Sequence, residues 1–224
     1  MNQGNRAGIV SFLFTDLEES SRLWEQEPQR MPAALKCHDT LARAAVEANH
    51  GTVVKMLGDG LHAAFDDPLD ALLAAVALQE ALADPAATNG VLLLVRCGMH
   101  VGVVEKRDND YFGAAVNRAH RIMDAGHGGQ LLLSRAMAAL VEDRLPPGVA
   151  LSNLGAVRLR HLANPERVFQ VVHPRLRQDF PPLRSLEATP NNLPQQVTSF
   201  IGRAREQEEI GRLLPQTRLL TLVG

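Results

Sequence analysis

Along the first 173 residues, short apolar runs alternate with stretches whose hydrophobic residues recur at helical spacing. Ile9 to Phe14 is almost wholly apolar and predicts a buried strand over Ile9–Thr15. A short polar helix is expected around Ser20–Gln26, broken by Pro28 and Pro32, then a helix over Ala33–Ala48. Thr52–Leu57 is β-branched and apolar apart from Lys55; with the Gly58-Asp59-Gly60 turn and Leu61–Phe65 it predicts a hairpin. Pro68 opens an Ala/Leu-rich helix running to about Ala83, and Asn89-Gly90 marks a turn. Leu92–Val104 reads as a long apolar strand interrupted by Arg96. Helix over Gly113–Asp124, strand over Gln130–Ser134 and helix over Arg135–Glu142 follow. Short strands are expected near Val149–Leu151, Val157–Leu159 and Val168–Val172. This order predicts an α/β sandwich built on a mixed sheet.

Past residue 173 the pattern changes. Pro181, Pro182, Pro190 and Pro194, with Asn191-Asn192, describe an extended linker over 174–196. Residues 198–214 read as a loop and helix, and 217–223 as a lone strand. Neither an internal repeat nor a low-complexity tract is present.

Composition narrows the function classes. Hydrophobic residues make up 46% and charged residues 21% of 224, which is ordinary for a globular chain. With 23 basic against 25 acidic residues, charge gives no case for nucleic acid or anionic membrane. The N-terminus lacks an apolar signal region and no apolar stretch approaches membrane-spanning length, so a cytoplasmic location is expected. Cys37 and Cys97 fall in an expected helix and strand, and read as thiols of a reducing compartment rather than a disulfide or metal site.

The candidate chemistry sits where apolar runs end. Asp16 and Asp59 each close a strand, and two carboxylates on neighbouring strands make a hard oxygen site suited to Mg²⁺ or Mn²⁺. Singly, Asp16 also reads as a helix cap and Asp59 as a hairpin turn residue. Asn117 and Arg121, four apart, share a helical face that suits a ribose oxygen and a phosphoryl group; a cap and a solvated arginine are the plainer alternatives. Lys55 reads either as a snorkelling edge residue or as a donor held on a strand.

Taken together, Val10-Ser11-Phe12-Leu13-Phe14-Thr15-Asp16, Lys55-Met56-Leu57-Gly58-Asp59-Gly60, and Asp110-Tyr111-Phe112-Gly113 with Asn117 and Arg121 resemble the class III nucleotidyl cyclase homology domain across residues 8–173. The resemblance implies a ferredoxin-like mixed β-sheet with flanking helices. It implies that Asp16 and Asp59 bind two metal ions, that Lys55 and Asp110 read the purine, and that Asn117 and Arg121 orient the ribose and stabilise the transition state. Adenine offers a ring-nitrogen acceptor and an amino donor, which a lysine and an aspartate complement. The implied activity is adenylate cyclase, converting ATP to 3′,5′-cyclic AMP and pyrophosphate. A weakly active or silent cyclase-like module that binds nucleotide or a partner is the alternative. A diguanylate-type synthase is disfavoured because its glycine-acid signature is absent.

Lys55 and Asp59 lie on opposite sides of one tight turn, so one nucleotide is not expected to meet both from one chain. The family's head-to-tail homodimer resolves this by sharing each site between subunits, and this chain carries both half-sets. Two departures stand out. Glu19 occupies the position of a family glycine beside the triphosphate, where its side chain either repels phosphate or turns outward. Arg160 is the candidate for a C-terminal phosphate-binding residue usually supplied by lysine. Beyond the linker, Ser199-Phe200-Ile201-Gly202-Arg203 and Leu219-Leu220-Thr221-Leu222-Val223-Gly224 resemble the entry to a signal-transduction AAA-type ATPase module over 197–224, stopping before any phosphate loop. A short gene product and a piece of a larger regulator both fit that ending.

Overall fold

The computed structural model describes residues 7–107, 110–185 and 212. Its frame is an eight-stranded sheet. In chain order the elements are β1 (Ala7–Leu17), α1 (Ser20–Gln26), α2 (Met31–Ala48), β2 (Thr52–Met56), β3 (Leu61–Phe65), α3 (Pro68–Leu82), β4 (Val95–Arg107), β5 (Asp110–Phe112), α4 (Ala114–Ala125), β6 (Leu131–Ser134), α5 (Arg135–Val141), β7 (Ala150–Val157) and β8 (Glu166–Val172). The strand order is β2-β3-β1-β4-β6-β8-β7, with β5 paired to β4 outside that path. Among the described residues only the β4–β6 pairing is parallel, so the sheet is mixed, as the alternating pattern predicts.

Helices cover both faces. Leu13 and Leu17 of β1 and Val95, Cys97 and Met99 of β4 pack under α2, α3 and α5. The alternate residues Phe12 and Phe14, with Ala64 and Val104, pack under Ala115, Ala119 and Met123 of α4. That second layer is tight: a Cβ at Gly98 would lie 2.2 Å from the Met123 backbone nitrogen, so glycine lets α4 settle on β4.

Several boundaries differ from the sequence reading for local reasons. Pro32 does not break a helix; it lies in the first turn of α2, where a missing N–H is harmless. The long strand begins at Val95, not Leu92, because Val91 closes the turn after Asn89-Gly90 by donating to the Thr88 carbonyl. The strand β5 was not expected at all. The two short strands read near Val149 and Val157 are one strand, β7, with a register shift between Asn153 and Ala156 around the left-handed Gly155.

Residues 174–185 run without helix or strand, as a proline-rich linker would, yet they are fastened to the domain. Leu183 is buried beside Ile122 and Val157, and the Arg184 N–H donates to the Ala125 carbonyl at 2.9 Å. The rest of the expected linker and the ATPase-like segment lie outside the described residues apart from Arg212. Among the described residues no helix is long and apolar enough to cross a membrane.

Candidate active site

The turn that carries Asp59 is brought against the end of β1, beside Asp16, by backbone contact. Leu57 N–H donates to the Gly60 carbonyl at 2.8 Å and closes the turn that carries Asp59. That turn lies on the end of β1: a Cβ at Gly60 would stand 1.9 Å from the Thr15 carbonyl oxygen and 3.1 Å from the Asp16 Cα. Leu61 N–H donates to Thr15 Oγ1 at 3.0 Å and locks the apposition. Asp16 is held from its other side. Its Oδ2 accepts from Arg96 Nε at 2.9 Å and Nη2 at 2.5 Å, which leaves Oδ1 without a side-chain donor.

Carboxylates on this turn and on the neighbouring strand end would suit Mg²⁺ or Mn²⁺, which take oxygen ligands and retain water or phosphate oxygens. No cluster of three His, Cys, Asp or Glu side chains suited to a metal occurs among the described residues, so the protein's share would be these two. The donor set suits a cation that fills its remaining positions with water or phosphate oxygens.

Lys55 and Asp110, far apart in sequence, meet. Lys55 Nζ lies 3.8 Å from Asp110 Oδ2, and both side chains are open to solvent. Asp110 Oδ1 accepts from the Tyr111 N–H at 2.8 Å, which turns Oδ2 toward the lysine. A bulge between Val53 and Lys55 resets the register so that Lys55 lies opposite His62, and His62 opposite Phe14. Residues paired across strands share a face, so Lys55, His62 and Phe14 form one row beneath α4. His62 stacks on Phe14 with ring centroids 4.3 Å apart. Burial, which outweighs the pull of Asp110, lowers the His62 pKa to about 4, so it is neutral beneath Lys55.

Asn117 is exposed on α4, and Arg121 lies one turn further along. Arg121 Nη1 donates to Asp124 Oδ2 at 3.0 Å, and His120 Nδ1 is 3.3 Å from the same oxygen. Burial opposes ionisation of Asp124. The hydrogen bonds from His120 and Arg121 and the charges of His120 and Arg96 win, and hold its carboxyl below the usual range. Glu19 adopts a left-handed conformation, φ 55°, at the start of α1, a shape that favours glycine. Its side chain turns outward and pairs with Arg22 Nη1 at 2.8 Å. Arg160 is exposed in the turn after β7.

The sequence signature of the adenylate and guanylate cyclase catalytic domain matches residues 3–172. The chain belongs to that family. It is 40% identical over 200 residues to the uncharacterized protein Rv0891c of Mycobacterium tuberculosis, covering 88% of this chain and 67% of that protein. Adenylate cyclase of Schizosaccharomyces pombe is 27% identical over 245 residues, which is 96% of this chain but 14% of the yeast enzyme. Among solved structures, an adenylate cyclase of Trypanosoma brucei in its monomeric state superposes with a TM-score of 0.69 at 27% identity, covering 79% of this chain and 92% of that one. The mixed sheet with flanking helices is thus the class III cyclase fold.

Within this cyclase domain, the sequence reading passed over three residues of the neighbourhood. Arg96 was visible as a lone charge in an apolar strand, but its partner Asp16 is 80 positions away and follows only from the β1–β4 register. Asp124 entered only as the last residue of the helix expected over Gly113–Asp124. His62, between Leu61 and Ala63, gave no signal beyond its place two residues after the Gly-Asp-Gly turn.

Proposed function

We propose that the chain is an adenylate cyclase that converts ATP to 3′,5′-cyclic AMP and pyrophosphate at sites shared between two copies. The observation that carries the ATP preference is the Lys55–Asp110 pair: a donor and an acceptor side by side, solvent-facing, from separate strands. Lys55 would donate to an adenine ring nitrogen and Asp110 accept from the amino group; guanine reverses that order. Asp16 and Asp59 would hold two divalent cations, which supply Lewis acidity for the ribose 3′-hydroxyl and offset charge on the departing pyrophosphate. Asn117 would orient the ribose, and the Arg121 guanidinium would face the phosphoryl oxygens where charge develops. Arg160 would be a further phosphate contact. The head-to-tail arrangement, with carboxylates from one copy and Lys55, Asp110, Asn117 and Arg121 from the other, is supported by Lys55 and Asp59 lying on opposite sides of the Gly58-Asp59-Gly60 turn, where one nucleotide would not meet both.

The second reading, a weakly active nucleotide-binding module, draws on Asp16 and Arg121 being engaged by Arg96 and Asp124. Purified protein assayed with Mn²⁺ and ATP for cyclic AMP, with GTP as control, separates the two. Turnover of ATP above GTP, abolished in Asp59→Ala with an unchanged melting curve, supports the cyclase. Absence of product, or turnover unaffected by Asp59→Ala, overturns it.

A further inference from the structure

Arg96 reaches three ways. Its Nε and Nη2 grip Asp16 Oδ2, and its Nη1 donates to the Asp124 main-chain carbonyl at 3.2 Å, near the C-terminal end of α4. The pair is part-buried, with the side chains of Arg96 and Asp16 17% and 28% exposed, so solvent screens it only in part. Asp124 in turn fixes Arg121 through its carboxylate. One continuous chain of contacts therefore runs from the carboxylate end of β1, through Arg96 and Asp124, to the arginine on α4. The contact of Gly98 with Met123 makes β4 and α4 a single packed body at the same level.

We propose that Arg96 is a positioning residue serving both half-sites: it holds Asp16 through Oδ2 so that Oδ1 is left for a cation, and it ties that carboxylate to the helix carrying Arg121. This rests on the shared-site reading above. There, Asp16 and Arg121 of one copy belong to different sites, so Arg96 is the strut through which the cation-binding half of one site is held in register with the phosphoryl-facing half of the other. Hydrogen-bond partners of a metal-binding carboxylate commonly change affinity about 10–100-fold when removed. A guanidinium can make all three contacts, whereas lysine can hold Asp16 as a point charge but cannot also span to the Asp124 carbonyl.

The test is a titration of free Mn²⁺ by electron paramagnetic resonance, without nucleotide, on the full chain and on Asp16→Ala, Arg96→Gln and Arg96→Lys, each with a melting curve. Asp16→Ala should lose Mn²⁺ binding. Arg96→Gln should melt cooperatively and bind Mn²⁺ about 10–100-fold more weakly. Arg96→Lys should recover most of that affinity while its kcat falls with KM for ATP little changed, because the tie to α4 is gone. Folded Arg96→Gln with wild-type Mn²⁺ affinity, where Asp16→Ala has lost it, overturns the strut and leaves the cation site standing. Asp16→Ala that still binds Mn²⁺ overturns the site and the strut with it. If Arg96→Gln fails to fold, Arg96→Lys decides: wild-type kcat in that variant overturns the tie to α4.

Discussion

Adding one methyl group at Gly60 should push the turn that carries Asp59 away from Asp16 at the end of β1. A Cβ there falls 1.9 Å from the Thr15 carbonyl oxygen, against an ordinary contact of 3.4 Å or more. The turn and the end of β1 would have to part by about 1.5 Å, and a close-packed interior yields little at that scale. Neither backbone is free to move. Thr15 is paired with Cys97 in the sheet, Leu61 with Met56, and Leu61 N–H is bonded to Thr15 Oγ1. Gly60→Ala should therefore cost about 3 kcal/mol, the upper part of the usual overpacking range. At roughly 2–4 °C per kcal/mol for a domain of this size, the melting midpoint should fall by roughly 6–12 °C. Mn²⁺ affinity should fall as well, since the change moves Asp59 away from Asp16. Gly58→Ala is the control: its Cβ would meet open space, and only its left-handed φ of 89° opposes alanine, at about 1 kcal/mol. Calorimetry and a Mn²⁺ titration on both variants check the argument. A Gly60→Ala protein that melts and binds Mn²⁺ like wild type would refute the apposition of Asp16 and Asp59.

Three further outcomes are expected. Lys55→Glu with Asp110→Cys should weaken the preference for ATP over GTP, since the donor and acceptor order is altered; an unchanged preference ratio in steady-state kinetics removes both residues from purine reading. Burial holds His62 and His100 at pKa values of about 4, below the ordinary 6.5, so their neutral forms support the fold fully above pH 6.5 and that support is lost as pH falls toward 4. The melting midpoint should drop through that window, and His62→Leu should flatten the drop; an identical acid profile in the variant contradicts the assignment. Glu19→Gly should raise stability by about 1 kcal/mol by relieving a left-handed non-glycine residue, because the exposed pair lost with Arg22 contributes little; a lowered midpoint would show that the pair outweighs the strain.

How much of this was legible in the sequence depends on how local each cause is. The hairpin, α1 and α3 follow from turn residues and apolar spacing within the segment itself, and the structure reproduces them nearly residue for residue. Strand β5 escaped because three residues carry no periodicity; it exists by pairing with Glu105–Arg107 of β4. For the candidate site, the juxtaposition of Lys55 with Asp110 was suggested by resemblance to the cyclases, and here it arises from a bulge and a paired strand that spacing does not reveal. The outward turn of Glu19 was left open by the sequence and is decided by Arg22 one helical turn later. Arg96 and Asp124 stayed hidden because their roles depend on strand register and on the end of α4, both set by tertiary packing.

The most direct test of the shared site is complementation between two inactive variants. Asp59→Ala and Arg121→Ala are co-expressed with different tags, and the heterodimer content of the product is measured. If each site takes Asp16 and Asp59 from one copy and Asn117 and Arg121 from the other, a mixed dimer holds one site with both lesions and one with neither. Random pairing makes half the dimers mixed, so cyclic AMP production should recover to about a quarter of wild type while each parent alone stays near zero. No recovery in verified heterodimers, with wild type active under the same conditions, would contradict sites shared between subunits.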